Sequence, residues 1–345
     1  MNKNIQQLTN NKTLDEDCTK ILEAVNFKKF KNSKILILGG NSFIATYIQA
    51  ALSLIKCEIV SVSLNKPRGL FKKVYKNSKI KFIQTDLNET TKLKKILKKN
   101  FDFIFHCATY GQPKKWDENI LSTVNLNINV LKLVLEHSKK YKSRILYLSS
   151  TLVYAIPDHK APINESSPLG VGKFPTEMIY TNAKIIGEQL CKIYKKKYNI
   201  PVYIVRPGHT YGPGQDFKDP RVIPQILKRA ALKKKIYIHD NGKSVRTWGY
   251  IADITVMLLN IIQYGKSLTY NVSGTDHKSI MEICKIVSKI YRNIPISIIH
   301  KKLNYTYTKS TILKISSKKY NAEFKNNKQT SFVTGINKLI NWNKE

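Results

Sequence analysis

Lys34-Ile-Leu-Ile-Leu-Gly-Gly-Asn-Ser-Phe-Ile-Ala45 is the stretch that decides the fold. Its first half is a short, continuously apolar run, the pattern of a strand buried on both faces of a parallel sheet. The run ends on Gly39-Gly40, and a helix is expected from about Phe43. A dinucleotide site needs this shape: a tight turn, close backbone approach to a pyrophosphate, and a helix N-terminus facing it. In Gly-x-x-Gly-x-x-Gly spacing Gly39 is the first glycine, Ser42 replaces the second and Ala45 the third. Ala45 is a mild change. Ser42 puts a Cβ where the phosphates come close, so the turn alone also fits an ordinary strand–helix junction.

Further strands are expected at Glu58–Val62, Lys81–Gln84, Phe103–Phe105, Arg144–Leu148 and Val202–Val205. Helical patterns separate them over Thr90–Leu97, Ile120–Lys139 and Thr176–Tyr198. Strands alternating with helices predict an α/β, Rossmann-like doubly wound parallel sheet. The expected organisation is an N-terminal extension over 1–30 with an amphipathic helix near Leu14–Phe27, then a dinucleotide-binding domain over 31–206. A smaller C-terminal substrate lobe follows over 207–345, with 248–274 returning to the first domain.

The bulk numbers agree with one such globular unit. The chain has 345 residues, 42% of them hydrophobic and 10% aromatic, which excludes a disordered protein. A formal net charge of +36 comes from lysines scattered along the chain, as in Lys192–Lys197. That reads as a solvated surface with salt-sensitive, nonspecific attraction to polyanions, not as a specific nucleic-acid site. The five cysteines form no Cys-x-x-Cys pair, which points to a reducing, cytoplasmic setting. The apolar stretch Ile254–Tyr264 is too short for a bilayer, so no membrane partner is expected. None of the seven histidines has metal-ligand spacing.

Tyr180-Thr-Asn-Ala-Lys184 places a phenol and an ammonium on one helix face. A nearby cation favours phenolate, so Lys184 is expected to acidify Tyr180 and make it a general base near neutral pH. The fifth strand ends in Ser149-Ser150-Thr151, at the edge where open parallel sheets bind ligands. Ser150 would then orient a substrate hydroxyl for Tyr180.

With these motifs in order, the chain resembles the extended short-chain dehydrogenase/reductase family, the nucleotide-sugar epimerases and dehydratases, over about residues 33–345. The resemblance rests on the Gly39 turn, His106-Cys-Ala108, Asn127, Ser149–Tyr154, Tyr180 with Lys184, and Arg206–Gly214. Gly242–Asp253, Tyr270–Gly274 and the tail Gly335–Trp342 complete it. It implies an NAD cofactor held by Gly39, Ser42, Phe43, Ile44, Ser63, Asp86, Leu87, Ala108, Asn127, Tyr180 and Lys184. It implies a nucleotide-sugar substrate met by Thr109, Thr151, His209, Arg221, Val222 and Arg246, and a homodimer built on the two long helices. Ser63 stands where NAD enzymes usually carry an acid for the ribose, with Lys66 and Arg68 close behind, so NADP stays open.

The reaction depends on groups beyond the triad. Family members that eliminate water carry Asp-Glu directly after the strand-end hydroxyl residue, and decarboxylases carry a Glu two residues after it. Here Thr151 and Leu152 hold those places. An epimerase, which needs only oxidation, rotation of the keto-sugar and return of the hydride, is the leading expectation. Decarboxylation or 4,6-dehydration, net reduction, and a non-catalytic Rossmann binding protein remain alternatives.

Overall fold

The structure is a computed structural model. It describes residues 11–68, 71–155, 162–170, 175–238, 241–299, 311–325 and 328–344. Chain order begins with α1 (Lys12–Ala24), β1 (Lys34–Leu38), α2 (Phe43–Leu52), β2 (Glu58–Ser63), α3 (Phe71–Asn77), β3 (Ile80–Gln84), α4 (Thr90–Ile96) and β4 (Phe103–His106). Then come α5 (Pro113–Glu118), α6 (Ile120–Asn125), a π turn (Leu126–Val130), α7 (Leu131–Tyr141), β5 (Arg144–Leu148), α8 (Pro175–Tyr198) and β6 (Val202–Pro207). The lobe elements are β7 (His209–Tyr211), α9 (Val222–Ala231), β8 (Ile236–Ile238) and β9 (Val245–Tyr250), followed by α10 (Ile251–Tyr264) and β10 (Thr269–Val272). The chain closes with β11 (Asp276–Ser279), α11 (Ile280–Ile290), β12 (Ile296–Ile298), β13 (Ile312–Leu313), α12 (Lys318–Phe324) and α13 (Phe332–Trp342).

The central sheet has seven strands in the order β10-β6-β5-β4-β1-β2-β3. Every pairing in it is parallel. Alternation along β1 explains its two-sided burial. Ile35 and Ile37 enter one core with α1, α2 and α10, while Leu36 and Leu38 enter the other with α4, α7 and α8. The strand order reverses between β1 and β4, which opens a crevice at their carboxyl ends.

The helix expected over Ile120–Lys139 is interrupted. Its middle, Leu126–Val130, winds as a π turn before α7 resumes. On α7, Leu131 and Leu135 are core, whereas Ile120 and Leu121 of α6 and Ile186 and Ile193 of α8 are exposed.

Beyond β6, a second sheet runs β11-β9-β13 with β7 also on β9, and β12 pairs with β8. β10 returns to the central sheet beside β6. The N-terminal helix is capped by Asn11, whose Oδ1 accepts from Leu14 N at 2.9 Å. It is tied down by Asp17, whose buried carboxylate accepts from Tyr47 (3.0 Å), Tyr250 (2.7 Å) and Lys338 (2.9 Å). Residues 1–10, and 301–310 within the tail, lie outside the described residues. Among the described residues no helix is long and apolar enough to cross a membrane, and no cluster of His, Cys, Asp or Glu is arranged for a metal. All five cysteines are free thiols.

Candidate active site

The turn after β1 forms at the reversal point. Gly39 has φ +79°, and a Cβ there would lie 2.7 Å from the backbone of Ala108 at the end of β4. Only glycine allows β1 and β4 to come this close. Ser42 is the N-cap of α2, but its side chain makes no capping bond. Its Oγ and the Oδ1 of Asn41 are buried without a hydrogen-bond partner. Buried polar atoms are normally satisfied. A hydroxyl left over at a helix N-terminus can donate to a phosphate oxygen, so Ser42 fits a dinucleotide pyrophosphate. Asn41 Nδ2 also donates to the carbonyl of Asn65, which ties the turn to the loop after β2. Ser63 is buried at the end of β2. Asp86 Oδ1 accepts from Asn88 N (2.9 Å) and Nδ2 (2.8 Å), so this carboxylate shapes the loop after β3 with Leu87 buried beside it.

Ser150, Tyr180 and Lys184 converge as their spacing predicts, but their electrostatics differ from the expectation. Ser150 Oγ accepts from Leu152 N at 3.1 Å. The Tyr180 phenol is pushed up to about 12 by burial, while its hydrogen bond with Ser150 pulls it down. Lys184 is fully buried and its Nζ donates to the carbonyl of Leu148 at 2.5 Å. It lies 5.8 Å from the Tyr180 ring centroid. Burial lowers its ammonium to about 7. The expected acidification of Tyr180 by Lys184 is therefore not what the structure shows. Desolvation disfavours both charged forms, and Lys184 spends its proton on a backbone carbonyl.

Several neighbours hold this arrangement. Asn127 sits in the π turn, a distortion often found at functional sites. Its Nδ2 donates to Thr123 O (2.8 Å) and Thr109 Oγ1 (3.3 Å), and its Oδ1 accepts from Tyr147 Oη (3.2 Å). The Tyr147 ring faces Lys184 Nζ at 4.9 Å. Gly187 makes that layer possible, because a Cβ there would meet Tyr147 Oη at 2.3 Å. Thr151 is buried and donates to Pro207 O at 3.2 Å.

Behind Ser150, Glu188 and Arg206 form a buried ion pair. Arg206 Nε and Nη2 donate to the carboxylate at 2.8 and 2.5 Å. Ser149 Oγ donates to the same carboxylate at 2.7 Å, and Arg206 Nη1 donates to Tyr154 Oη at 2.8 Å.

Arg221 and Arg246, expected to approach the substrate phosphates, also have partners within the protein. Arg221 N-caps α9, is paired with the Asp219 carboxylate, and its guanidinium lies 5.3 Å from the Phe43 ring, against the start of α2. This places it nearer the cofactor turn than the reading supposed. Arg246 Nη1 donates to the carbonyls of Val245 (2.9 Å) and Thr311 (2.8 Å). His209 is half-buried, with its ring 5.3 Å from Trp248. Burial, reinforced by Arg246, lowers its imidazole to about 3, so it is neutral at physiological pH. Asp253 holds Lys20 and accepts from Thr330 N at 2.6 Å, a tie between the N-terminal helix and the tail.

The sequence reading missed Trp116, whose indole stacks on Tyr180 with centroids 4.5 Å apart and planes 13° from parallel. It also gave no role to Tyr147 or to the Glu188–Arg206 pair. The latter had a faint signal, a charged residue one helical turn beyond Lys184. Trp116 had none, because α5 is too short to show a period.

A doubly wound sheet with a Tyr-x-x-x-Lys helix beside the strand-end hydroxyl of β5 defines an extended short-chain dehydrogenase/reductase. Within that class the chain belongs to the NAD dependent epimerase/dehydratase family, which it matches over residues 35–273. It is 24% identical over 264 residues to dTDP-4-dehydro-6-deoxy-D-allose reductase of Streptomyces bikiniensis, covering 74% of this chain and 80% of the relative. It is 24% identical over 271 residues to UDP-glucuronic acid decarboxylase 6 of Arabidopsis thaliana, covering 77% of each. In fold it is similar to an epimerase from Methanothermobacter thermautotrophicus, with a TM-score of 0.80 at 21% identity over 94% of this chain and 95% of that one. It is also similar to a UDP-glucuronic acid 4-epimerase from Bacillus cereus solved with UDP-glucuronic acid and NAD. There the TM-score is 0.76 at 23% identity over 90% and 99% of the two chains.

Proposed function

We propose that the protein is an NAD-dependent nucleotide-sugar epimerase that works through a transient keto-sugar. The observation that carries this reading is the assembled Ser150–Tyr180–Lys184 group followed by Thr151 and Leu152. Proton transfer to and from one hydroxyl is provided for, and no carboxylate follows Ser150 to drive elimination.

NAD supplies the hydride acceptor and donor when bound. Gly39, Ser42, Phe43 and Ile44 would hold its pyrophosphate, Ser63, Asp86 and Leu87 its adenosine end, and Ala108, Asn127, Tyr180 and Lys184 its nicotinamide ribose. Ser150 orients a sugar hydroxyl, and the phenolate form of Tyr180, which burial disfavours in the protein without ligands, takes its proton at Oη as the carbon is oxidised. After the keto-sugar has rotated to present its opposite face for return of the hydride, Tyr180 gives the proton back to the carbonyl oxygen. Thr109, Thr151, His209, Val222 and Arg246 would line the nucleotide-sugar side, with Arg221 bracing the turn. A homodimer through α6 and α8 would cover the exposed Ile120, Leu121, Ile186 and Ile193, and gel filtration at high salt reads it out.

A second reading, net reduction of a keto-sugar with NADPH, is favoured by one feature. β2 ends on Ser63, with Lys66 and Arg68 following, so no carboxylate repels a 2′-phosphate. Incubation with UDP-, dTDP-, GDP- and CDP-sugars, followed by mass spectrometry, separates the readings. An isomer of unchanged mass is the expected product. Loss of water or carbon dioxide, or stoichiometric consumption of NADPH, would replace the epimerase reading.

A further inference from the structure

Trp116 connects two walls of the site. Its ring lies flat on Tyr180 of α8, and its Nε1 donates at 2.7 Å to the carbonyl of Tyr110, in the loop that follows Ala108. It is only 6% exposed, and Tyr180 is equally buried. The indole therefore occupies one face of the phenol and is itself anchored to the loop after β4. From these contacts we infer that Trp116 is a positioning residue for Tyr180. It fixes the plane of the phenol and screens that face from water, leaving the hydroxyl edge to Ser150. The inference rests on Tyr180 being the group that carries the proton.

Among the described residues, the groups that face the phenol are few. Ser150 meets it from the end of β5. Lys184 stands on its own helix and Tyr147 on β5 behind. Beyond the indole is Tyr110, which senses Asp86. Burial is the largest influence on Tyr180, and water disfavours the neutral phenol relative to phenolate once it can reach the ring. Removing the indole should therefore make Tyr180 more acidic, which loss of packing far from the phenol would not do.

The test uses full-length protein labelled at tyrosine Cζ with carbon-13, titrated by NMR with and without NAD+. Tyr180→Phe identifies the Tyr180 signal. Trp116→Leu is expected to lower its midpoint by at least about one pH unit, and Trp116→Phe to keep the wild-type midpoint. Wild-type midpoints in both variants would overturn the inference. If Trp116→Leu does not fold, wild-type tryptophan fluorescence decides. Tyrosinate stacked on indole should quench it at the Tyr180 midpoint, and Tyr180→Phe should abolish that step. A fluorescence titration without such a step would overturn the inference. Neither measurement needs a sugar substrate, so both stand apart from the outcome of the mass-spectrometric panel.

Discussion

Arg206 and Lys184 are two buried cations near the end of β5, one bonded to Glu188 of α8 and the other on α8 itself, and they are treated in opposite ways. Arg206 is 2% exposed and lies in a bidentate pair with Glu188, with Tyr154 as a further partner. That pairing outweighs burial and holds its guanidinium above the ordinary arginine range. Lys184 is fully buried, donates a hydrogen bond to the carbonyl of Leu148, and is lowered by burial to about 7. Glu188 acts on both, yet its oxygens are bonded to Arg206 and Ser149. A cation with its own carboxylate is a fixed part of the scaffold. A cation left with one carbonyl can change charge near neutral pH, which is what proton-transfer chemistry requires.

Substitution breaks this comparison most directly at Arg206. Arg206→Met strands the Glu188 carboxylate in the interior, and should cost about 3–5 kcal/mol in denaturant unfolding. Lys184→Met removes a charge that has no carboxylate partner of its own among the described residues. It should leave the melting temperature unchanged or raised while turnover falls about 10²-fold or more. Equal destabilisation by the two substitutions would show that the distinction between the two cations is false.

The stability of the wild type should also carry the signature of Lys184. Its folded-state value, about 7, lies below the ordinary lysine value of 10.5, so between those values the unfolded chain binds more protons. Wild-type stability relative to Lys184→Met should therefore be lowest below pH 7, rise as the pH climbs through that window, and level off above it. A flat difference between the two proteins would place the ammonium in a solvated setting. The smallest effect concerns the cofactor. Ser63→Asp should weaken NADP+ relative to NAD+ by about tenfold in isothermal titration, because a carboxylate repels the 2′-phosphate.

The same contrast explains what was legible in the sequence. β1, β5 and β6 could be read because strands buried on both faces are continuously apolar, and the Gly39 turn because a positive φ and a close approach leave little choice of residue. Tyr180 and Lys184 could be placed together because a helix fixes residues four apart on one face. What could not be read was set by contacts distant in sequence. The burial that raises Tyr180 and lowers Lys184 comes from elements packed around α8. The π turn at Leu126–Val130 looks like ordinary helix in its apolar pattern. The Trp116–Tyr180 stack joins a six-residue helix to one that starts more than fifty residues later. The protein partners of Arg221 and Arg246, the Asp219 carboxylate for one and two backbone carbonyls for the other, could not be read either.

The central claim is that Tyr180 carries the proton in a reaction that oxidises and re-reduces a sugar carbon. The direct measurement is isomer formation from the nucleotide sugar turned over by wild type, compared with Tyr180→Phe, with NAD+ binding followed in the same preparations. A fall of about 10²-fold or more in Tyr180→Phe, in a folded protein that still binds NAD+, is the predicted result. Turnover at the wild-type rate would contradict the account.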